Sequence, residues 1–382
     1  MSDAPSPDAP IVIAAGGTGG HFFPAEALAA ELQRRGLRIA LMTDARSADY
    51  SSPAFADAER FVLKGAGLAG RGLQRAAQGA LALAAGTLQA RRILAGLRPQ
   101  AVVGFGGYPC VPPLLAARSL SLRSLGGFRP ATILHEQNAV LGRANRLLAR
   151  GADVLALSFA GTARVPAGTT TAVVGNPVRP ALAALAGQGF APPQGPLRVF
   201  VLGGSLGARI FSDVVPAAVA LLPAPLRARL SLVQQCRIED MPRVRAAYEA
   251  LGVPAELAPF FGDVAGLYGT AHLVIARAGA STVAELACAG RGAILVPLPQ
   301  AIDDHQTANA RALAASGAAV VMPQPDCTPE ALAARLATLL DSPEALAEAA
   351  AAAARLAAPD AAARLADLVL SRAEARRLQE AS

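Results

Sequence analysis

The chain of 382 residues has no tryptophan, a single lysine (Lys64) and only 4% aromatic residues. With so few rings to stack on bases and no recognition motif, nucleic acid is set aside as a partner, although the formal net charge is +7. The four cysteines, Cys110, Cys236, Cys288 and Cys327, lie far apart and form no CxxC pair. That spacing excludes a disulfide framework and a cysteine zinc site, and it fits reduced thiols in a cytoplasmic protein. Long apolar runs are missing too. The uncharged apolar run Ala76 to Ala90 is interrupted by Gln78, Gly79 and Gly86 and falls short of the roughly 20 residues a spanning helix needs. The N-terminus, MSDAPSPDAP, has no basic or apolar segment of a signal peptide and reads as a disordered tail. What is present is positive charge carried almost wholly by arginine, suited to a phosphorylated substrate or an anionic lipid. Of the residues, 53% are hydrophobic, many of them alanine. A soluble α/β protein of two domains is the expectation at this length.

The chain is organised around IVIAAGGTGGHFFPAEALAAE, from Ile11 to Glu31. Ile11 to Ala15 reads as a buried strand and Gly16 to Gly20 as a tight turn. Pro24 is expected to open a helix on Ala25, Leu28, Ala29 and Leu32. Strand, glycine loop and helix in that order make an anion cradle, because glycine lets the backbone approach a ligand and the helix start offers unpaired N–H groups. The device recurs at Leu197 to Leu202 followed by Gly203-Gly204-Ser205-Leu206-Gly207. Two such units imply two Rossmann-like, doubly wound α/β domains facing each other across a cleft. Further strands are read at Arg38–Thr43, Ala101–Phe105, Ala131–His135, Val154–Ser158, Leu230–Gln234 and Leu273–Ala276, with Ala293–Pro297 the last buried one. A loop and helix are read over 65–98, a helix up to Arg150, and Ala-rich helices from Pro329 on. The turn-rich stretch after Gly175 marks the boundary: residues 1–178 form the first domain, 179–357 the second, and 358–382 a helix returning to the first. The dinucleotide fingerprint fails, because after Gly17 and Gly19 its third glycine position holds Phe22. Asp44 alone keeps that alternative open as the acid ending the second strand.

In open α/β sheets ligands bind beyond the carboxyl ends of the strands, and polar residues gather there. His21 follows the first loop and Tyr108 follows Gly106 and Gly107. His135, Glu136, Gln137 and Asn138 end one strand, and Ser205 lies in the second cradle. Ser281, Thr282 and Glu285 open a helix, and Asp303, Asp304, His305, Gln306 and Asn309 follow the last strand. The Ser281 helix start can donate N–H groups and a hydroxyl to a diphosphate. Glu285, one turn on, can accept from both ribose hydroxyls. The plainer alternative is a capping pair. Asp303-Asp304-His305 lacks metal-ligand spacing, so no metal is expected and a solvated loop or a sugar-hydroxyl contact is read there. Without a metal, Arg179 and helix N-termini are left to stabilise a leaving diphosphate.

Taken together, the stretches AGGTGGHFFPA, VVGFGGYPCVPP, ILHEQNAVLGRANR, VVGNPVR, VLGGSLGAR, ARAGASTVAELACAG and PLPQAIDDHQTANA resemble the undecaprenyldiphospho-muramoylpentapeptide β-N-acetylglucosaminyltransferases of bacterial cell-wall synthesis. They run in family order from Ala15 to Ala310. The resemblance implies the glycosyltransferase B fold and transfer of N-acetylglucosamine, with inversion, from UDP to the C4 hydroxyl of a lipid-linked N-acetylmuramoyl-pentapeptide. It implies no required cofactor. The implied partners are UDP-N-acetylglucosamine, the lipid-linked acceptor and an anionic membrane surface at the cytoplasmic face of the inner membrane. By resemblance, Thr18, Gly19, Gly20, Asn138, Arg179, Ser205 and Gln306 match donor-contacting positions, and Ala280, Ser281, Thr282 and Glu285 form the matching helix start. Phe261 falls where backbone groups meet the uracil, and His305 would face sugar hydroxyls. Gly106, Gly107 and Tyr108 lie on the acceptor side. His305 stands where members often carry glutamine, and Cys110 where serine is common.

A single in-line displacement then needs a base for the acceptor hydroxyl. His21 is the first candidate, since an imidazole near pKa 6.5 suits proton transfer at neutral pH. Glu136 is the rival, with a structural carboxylate paired to Arg143 or Arg146 as its plainer role. Residues 68–98, with Leu68, Leu73, Leu81, Leu83, Leu88, Ile93 and Leu94 and arginines at both ends, suit an interfacial patch or equally a core-facing helix. A UDP-sugar epimerase on the same fold and a nucleotide-sugar-binding regulator are the competing functions.

Overall fold

In the computed structural model, which describes residues 6, 8–17, 19–48, 50, 52–63, 73–120, 128–204 and 207–381, the opening strand β1 (Ile11–Ala14) is buried along its whole length. Its side chains alternate between two cores. Ile11 and Ile13 pack with Phe22, Leu28 and Leu32, while Val12 and Ala14 pack with Leu94, Leu114 and Leu134. A strand covered on both faces is why the sequence there is a continuous apolar run.

Around β1 the first unit builds a parallel sheet from β2 (Ile39–Asp44), β3 (Glu59–Leu63), β4 (Ala101–Gly104), β5 (Ala131–Glu136), β6 (Val154–Leu157) and β7 (Thr171–Val173). Their order is β3-β2-β1-β4-β5-β6-β7. Ile11 lies opposite both Ile39 and Ala101, so β1 sits between β2 and β4, where the winding reverses. The second unit carries β8 (Leu197–Leu202), β9 (Leu230–Gln235), β10 (Ala255–Ala258), β11 (Leu273–Ala276), β12 (Ala293–Leu295) and β13 (Ala319–Val321). These are again parallel, in the order β10-β9-β8-β11-β12-β13. Here the reversal falls between β8 and β11. Both units are doubly wound, and each opens its switch point beside a glycine loop.

The chain divides into Met1–Arg179 with Asp360–Ser382, and Pro180–Pro359. Arg179 therefore closes the first unit instead of opening the second. The helix Ala361–Ala381 packs on the first sheet through Leu365, Ala366, Val369 and Ala373. Burying Leu365 and Val369 contributes roughly 1.5–3 kcal/mol each. Arg35 fastens the same helix, donating to Asp367 Oδ1 at 2.5 Å and to the Ala363 carbonyl at 3.2 Å. Farther along, Arg376 pairs with Asp153.

Several sequence expectations change. The first helix runs Gly19–Arg34, with Pro24 inside it. Pro24 has no N–H for the Gly20 carbonyl, yet burial of Phe22, Pro24 and Ala25 on the core face holds the earlier turn in place, and the Phe22 ring packs on Tyr50 and Phe55. β12 is the last buried strand, as expected, and a half-buried strand, β13, follows it. The helix expected to reach Arg150 stops at Leu148 and tightens into a 3₁₀ turn, Ala149–Gly151. Of the stretch 65–98, the helix occupies Leu73–Leu97, and 64–72 lie outside the described residues.

Candidate functional site

At the first switch point the exit from β1 is made by glycines that admit no side chain. A β-carbon on Gly16 would lie 3.0 Å from Asp44 Oδ1, Thr43 Oγ1 and Pro109 Cγ, and Gly17 has φ +88°, where only glycine is unstrained. The Gly17 N–H donates to Ser47 Oγ at 2.8 Å. Thr18, expected to contact the donor, lies outside the described residues. Gly19 and Gly20 begin the helix. A β-carbon on Gly19 would come within 2.8 Å of Phe23 Cε2, and the Arg179 guanidinium lies over the Phe23 ring at 4.8 Å. The ring thus holds Arg179 close to the loop.

His21, in the first turn of that helix, is half-buried against the loop that leaves β4. β-Carbons on Gly106 and Gly107 would sit 3.4 Å from His21 Cε1 and Cδ2, and both glycines have positive φ, +83° and +67°. The backbone conformation is what favours glycine there. Tyr108 follows, half-buried. Its hydroxyl has no hydrogen-bond partner among the described residues, and burial pushes its phenol above the usual range.

The end of β5 supplies the groups behind His21. His21 Nδ1 lies 3.1 Å from Gln137 Oε1. Gln137 Nε2 lies 3.0 Å from His135 Nδ1 and 3.2 Å from the His135 carbonyl, and His135 Nε2 lies 3.0 Å from the Gly175 carbonyl. His135 is fully buried, and burial pushes its imidazole down to about 4, so it is neutral at physiological pH.

Glu136 is buried with both carboxylate oxygens occupied. Oε1 accepts from the Asn138 N–H and from Asn138 Nδ2, each at 3.0 Å. Oε2 accepts from the Gly142 N–H and from Asn145 Nδ2, each at 2.9 Å. Four amide donors on one carboxylate fold the segment 136–145 around it and orient Asn138. Asn145 was not singled out by sequence reasoning. Its only sequence signal is its place in GRANR, one helical turn into the helix that follows.

In the second unit the loop after β8 depends on Gln235, also missed. Gln235 ends β9, next to β8, and its Oε1 accepts from the Gly203 N–H while its Nε2 donates to the Gly204 and Pro259 carbonyls. The signal available was a polar pair, Gln234-Gln235, closing an apolar strand. A β-carbon on Gly203 would be 2.4 Å from the Ala208 nitrogen, so the turn closes only with glycine. Ser205 lies outside the described residues. Phe261 is buried, edge-on to Phe200.

After β11, the helix Ala280–Ala289 begins beyond Gly279, which gives it no side-chain cap. The capping pair weighed from the sequence does not form. Ser281 lies inside the helix, and its buried hydroxyl has no partner among the described residues. Ala280, Ser281 and Thr282 thus surround an uncapped helix start with the partial positive charge of such an end. Glu285 is buried one turn on. Two neighbouring arginines are structural. Arg277 donates to the Val296 and Pro297 carbonyls and to Gln324, and Arg291 donates to five carbonyls; burial lowers the pKa of both.

The helix His305–Ala314 follows β12 and starts from strained backbone, with φ +56° at Asp303 and +55° at Asp304. Two consecutive left-handed non-glycine residues cost about 1 kcal/mol or more each. They set His305 Nδ1 2.8 Å from the Ile302 carbonyl and Gln306 Oε1 3.0 Å from the Leu298 N–H. Asn309, fully buried, donates to the Ala278 carbonyl at 3.1 Å, which ties this helix to the approach of the Ser281 helix. Among the described residues no cluster of His, Cys, Asp or Glu is placed to hold a metal ion.

Residues 11–156 match the glycosyltransferase family 28 N-terminal domain and residues 198–365 the glycosyltransferase family 28 C-terminal domain. A Granulibacter bethesdensis protein named UDP-N-acetylglucosamine–N-acetylmuramyl-(pentapeptide) pyrophosphoryl-undecaprenol N-acetylglucosamine transferase is 64% identical over 362 residues, covering 94% of this chain and 93% of its own. The Acidiphilium cryptum protein of the same name is 56% identical, over 95% and 96%. Among solved structures, Acinetobacter baumannii MurG superposes with a TM-score of 0.75 at 33% identity, covering 95% of this chain and 99% of that one.

Proposed function

The chain belongs to the UDP-N-acetylglucosamine–N-acetylmuramyl-(pentapeptide) pyrophosphoryl-undecaprenol N-acetylglucosamine transferases, and from that premise we propose how its residues divide the work. The reaction joins N-acetylglucosamine from UDP-N-acetylglucosamine to the lipid-linked muramoyl pentapeptide. The observation that carries this reading is 64% identity sustained over 94% of the chain.

The donor is assigned to the second unit. Its diphosphate rests on the uncapped start of the Ala280–Ala289 helix, where the unpartnered Ser281 hydroxyl and the first amides supply hydrogen bonds. Glu285 takes the ribose hydroxyls, backbone beside Phe261 takes the uracil, and His305 and Gln306 take the sugar. Thr18 and Ser205 keep their assigned donor contacts by resemblance, with Gly19, Gly20, Asn138, Ala280 and Thr282. Arg179, steadied on Phe23, offsets charge on the departing UDP.

The acceptor is assigned to the first unit, beside Gly106, Gly107 and Tyr108. His21 removes the proton from the C4 hydroxyl as its oxygen attacks the anomeric carbon, and the bond to UDP breaks on the opposite face. Glu136 is assigned an organising role, because four amide donors already occupy its carboxylate.

The lipid end is assigned to a membrane surface at the cytoplasmic face, met by the helix Leu73–Leu97. Ala90 and Leu94 of this helix enter the core, whereas Leu81 and Leu88, two turns apart on one side, are 71% and 60% exposed, with Arg92 exposed nearby. Leu68 and Arg71 lie outside the described residues, as do the side chains of Leu73 and Arg75. Among the described residues no helix is long and apolar enough to cross a membrane.

UDP release from UDP-N-acetylglucosamine, with and without a lipid-linked muramoyl acceptor, tests the reading. Release that depends on the acceptor is the expected result. Isomerised UDP-sugar without acceptor dependence would replace it with an epimerase, and no turnover at all would leave a binding protein.

A further inference from the structure

His21, Gln137, His135 and the Gly175 carbonyl form one hydrogen-bonded chain, each link at 3.0–3.1 Å. We propose that Gln137 and His135 are positioning residues that fix His21 in the tautomer with its proton on Nδ1, which leaves the Nε2 lone pair free to receive the acceptor's proton. The inference rests on the assignment of His21 as the base.

The direction of every link follows from its far end. The Gly175 carbonyl can only accept, so His135 Nε2 carries a hydrogen. His135 is neutral, so its Nδ1 is bare and must accept. The atom facing it is therefore the Gln137 amide nitrogen. The second hydrogen of that nitrogen goes to the His135 carbonyl at 3.2 Å, which leaves the amide no freedom to flip. Gln137 Oε1 then points at His21 and accepts from Nδ1–H. A backbone carbonyl some 40 residues along the chain from His135 thus decides which nitrogen of His21 is bare. Gly106 and Gly107 lie along the His21 ring, where an added β-carbon would be 3.4 Å from it. In the step itself the C4 oxygen bonds to the anomeric carbon, the bond from that carbon to the β-phosphate oxygen breaks with its electron pair going to UDP, and the hydroxyl proton moves to His21 Nε2. A His21 with its proton on Nε2 has no lone pair there, so the wrong tautomer is inactive even when bound in place.

The test uses the full chain labelled with ¹⁵N in its histidine rings. Two-bond proton–nitrogen correlation spectra at neutral pH should show His21 with a protonated Nδ1 and a bare Nε2, and His135 with the opposite tautomer. Gln137→Leu should lower kcat by about 10- to 100-fold, with KM for UDP-N-acetylglucosamine within about twofold, and should let His21 exchange between tautomers. Gln137→Glu keeps an acceptor facing His21 Nδ1 but turns a second oxygen toward the His135 carbonyl, so it should hold the His21 tautomer in the spectrum without restoring full kcat. A wild-type His21 protonated on Nε2 overturns the proposal, as does a Gln137→Leu variant that keeps the wild-type kcat. The base assignment fails separately, if His21→Ala retains turnover, and the wild-type spectrum then still decides the tautomer.

Discussion

Gln235 holds Gly203 and its neighbour from both sides, accepting from the Gly203 N–H at 2.9 Å and donating to the Gly204 carbonyl at 3.0 Å. One buried amide thereby sets the shape of a glycine loop that has no side chains of its own to set it. Gln235→Leu leaves an N–H and two carbonyls unpaired at about the same volume. The expected cost is about 1–3 kcal/mol in urea unfolding, with a several-fold rise in KM for the UDP-sugar. An unchanged KM would remove this loop from donor binding.

Glu136→Gln and His21→Ala should separate organisation from chemistry. In Glu136→Gln, an NH₂ group replaces an oxygen facing amide donors, so stability falls by about 1–3 kcal/mol and turnover falls with it. In His21→Ala, turnover falls by about 10²-fold or more, while the melting temperature moves little, because His21 is half-buried on two glycines. Thermal melts and steady-state rates on the same samples check both.

His135 should make the protein sensitive to acid. Its folded pKa of about 4 lies below the 6.5 of an unfolded imidazole, because burial disfavours the charged ring. Between these values the unfolded chain binds more protons, so the contribution is complete above pH 6.5 and is lost as pH falls toward 4. Roughly 3 kcal/mol is at stake over that window. His135→Asn, whatever its stability at pH 7.5, should show a smaller further loss on going to pH 5 than the wild type. Denaturant titrations at both pH values measure the difference.

Leu365→Ala should cost about 2–5 kcal/mol, since Leu365 is fully buried in the core of the first sheet. Asp367→Ala, at the exposed end of the Arg35 pair, should cost under about 1 kcal/mol. Urea unfolding of the two variants checks the contrast.

Leu81→Glu with Leu88→Glu should abolish flotation with anionic vesicles while the rate on a detergent-solubilised acceptor stays within about twofold, since both side chains point away from the core. Flotation that persists would remove this helix from the membrane contact.

How much was legible from the residues follows their burial. β1 and β11 were found to within a residue because both faces are covered and the run is apolar throughout, and β8 likewise although Arg198 interrupts its apolar run at an exposed position. β3, β7, β10 and β13 were not read. They are short and half-exposed, at the outer parts of their sheets, where polar residues interrupt the pattern: Glu59 and Arg60 in β3, Glu256 in β10. The motif residues His21, Glu136 and Ser281 were visible because polar groups at the ends of buried strands stand out. The pairing of His21 with Gln137 was not, since Gln137 Oε1 meets His21 across 116 positions of chain. Gln235 acts through the backbone of other segments and Asn145 through the Glu136 carboxylate and the His135 carbonyl, and no spacing rule connects them to what they hold. The helix start at Gly19 was misread because Pro24 is a strong local signal, and packing of Phe22 outweighed it.

The return of the last helix to the first sheet has a genetic corollary. Because Pro180–Pro359 is one uninterrupted segment, the second unit is formally an insertion within the first, with a proline at each splice. A donor-side exchange between relatives therefore needs a single cassette with both junctions at proline codons. The first unit, by contrast, can be made alone only by joining Arg179 to Asp360 or by circularly permuting the gene.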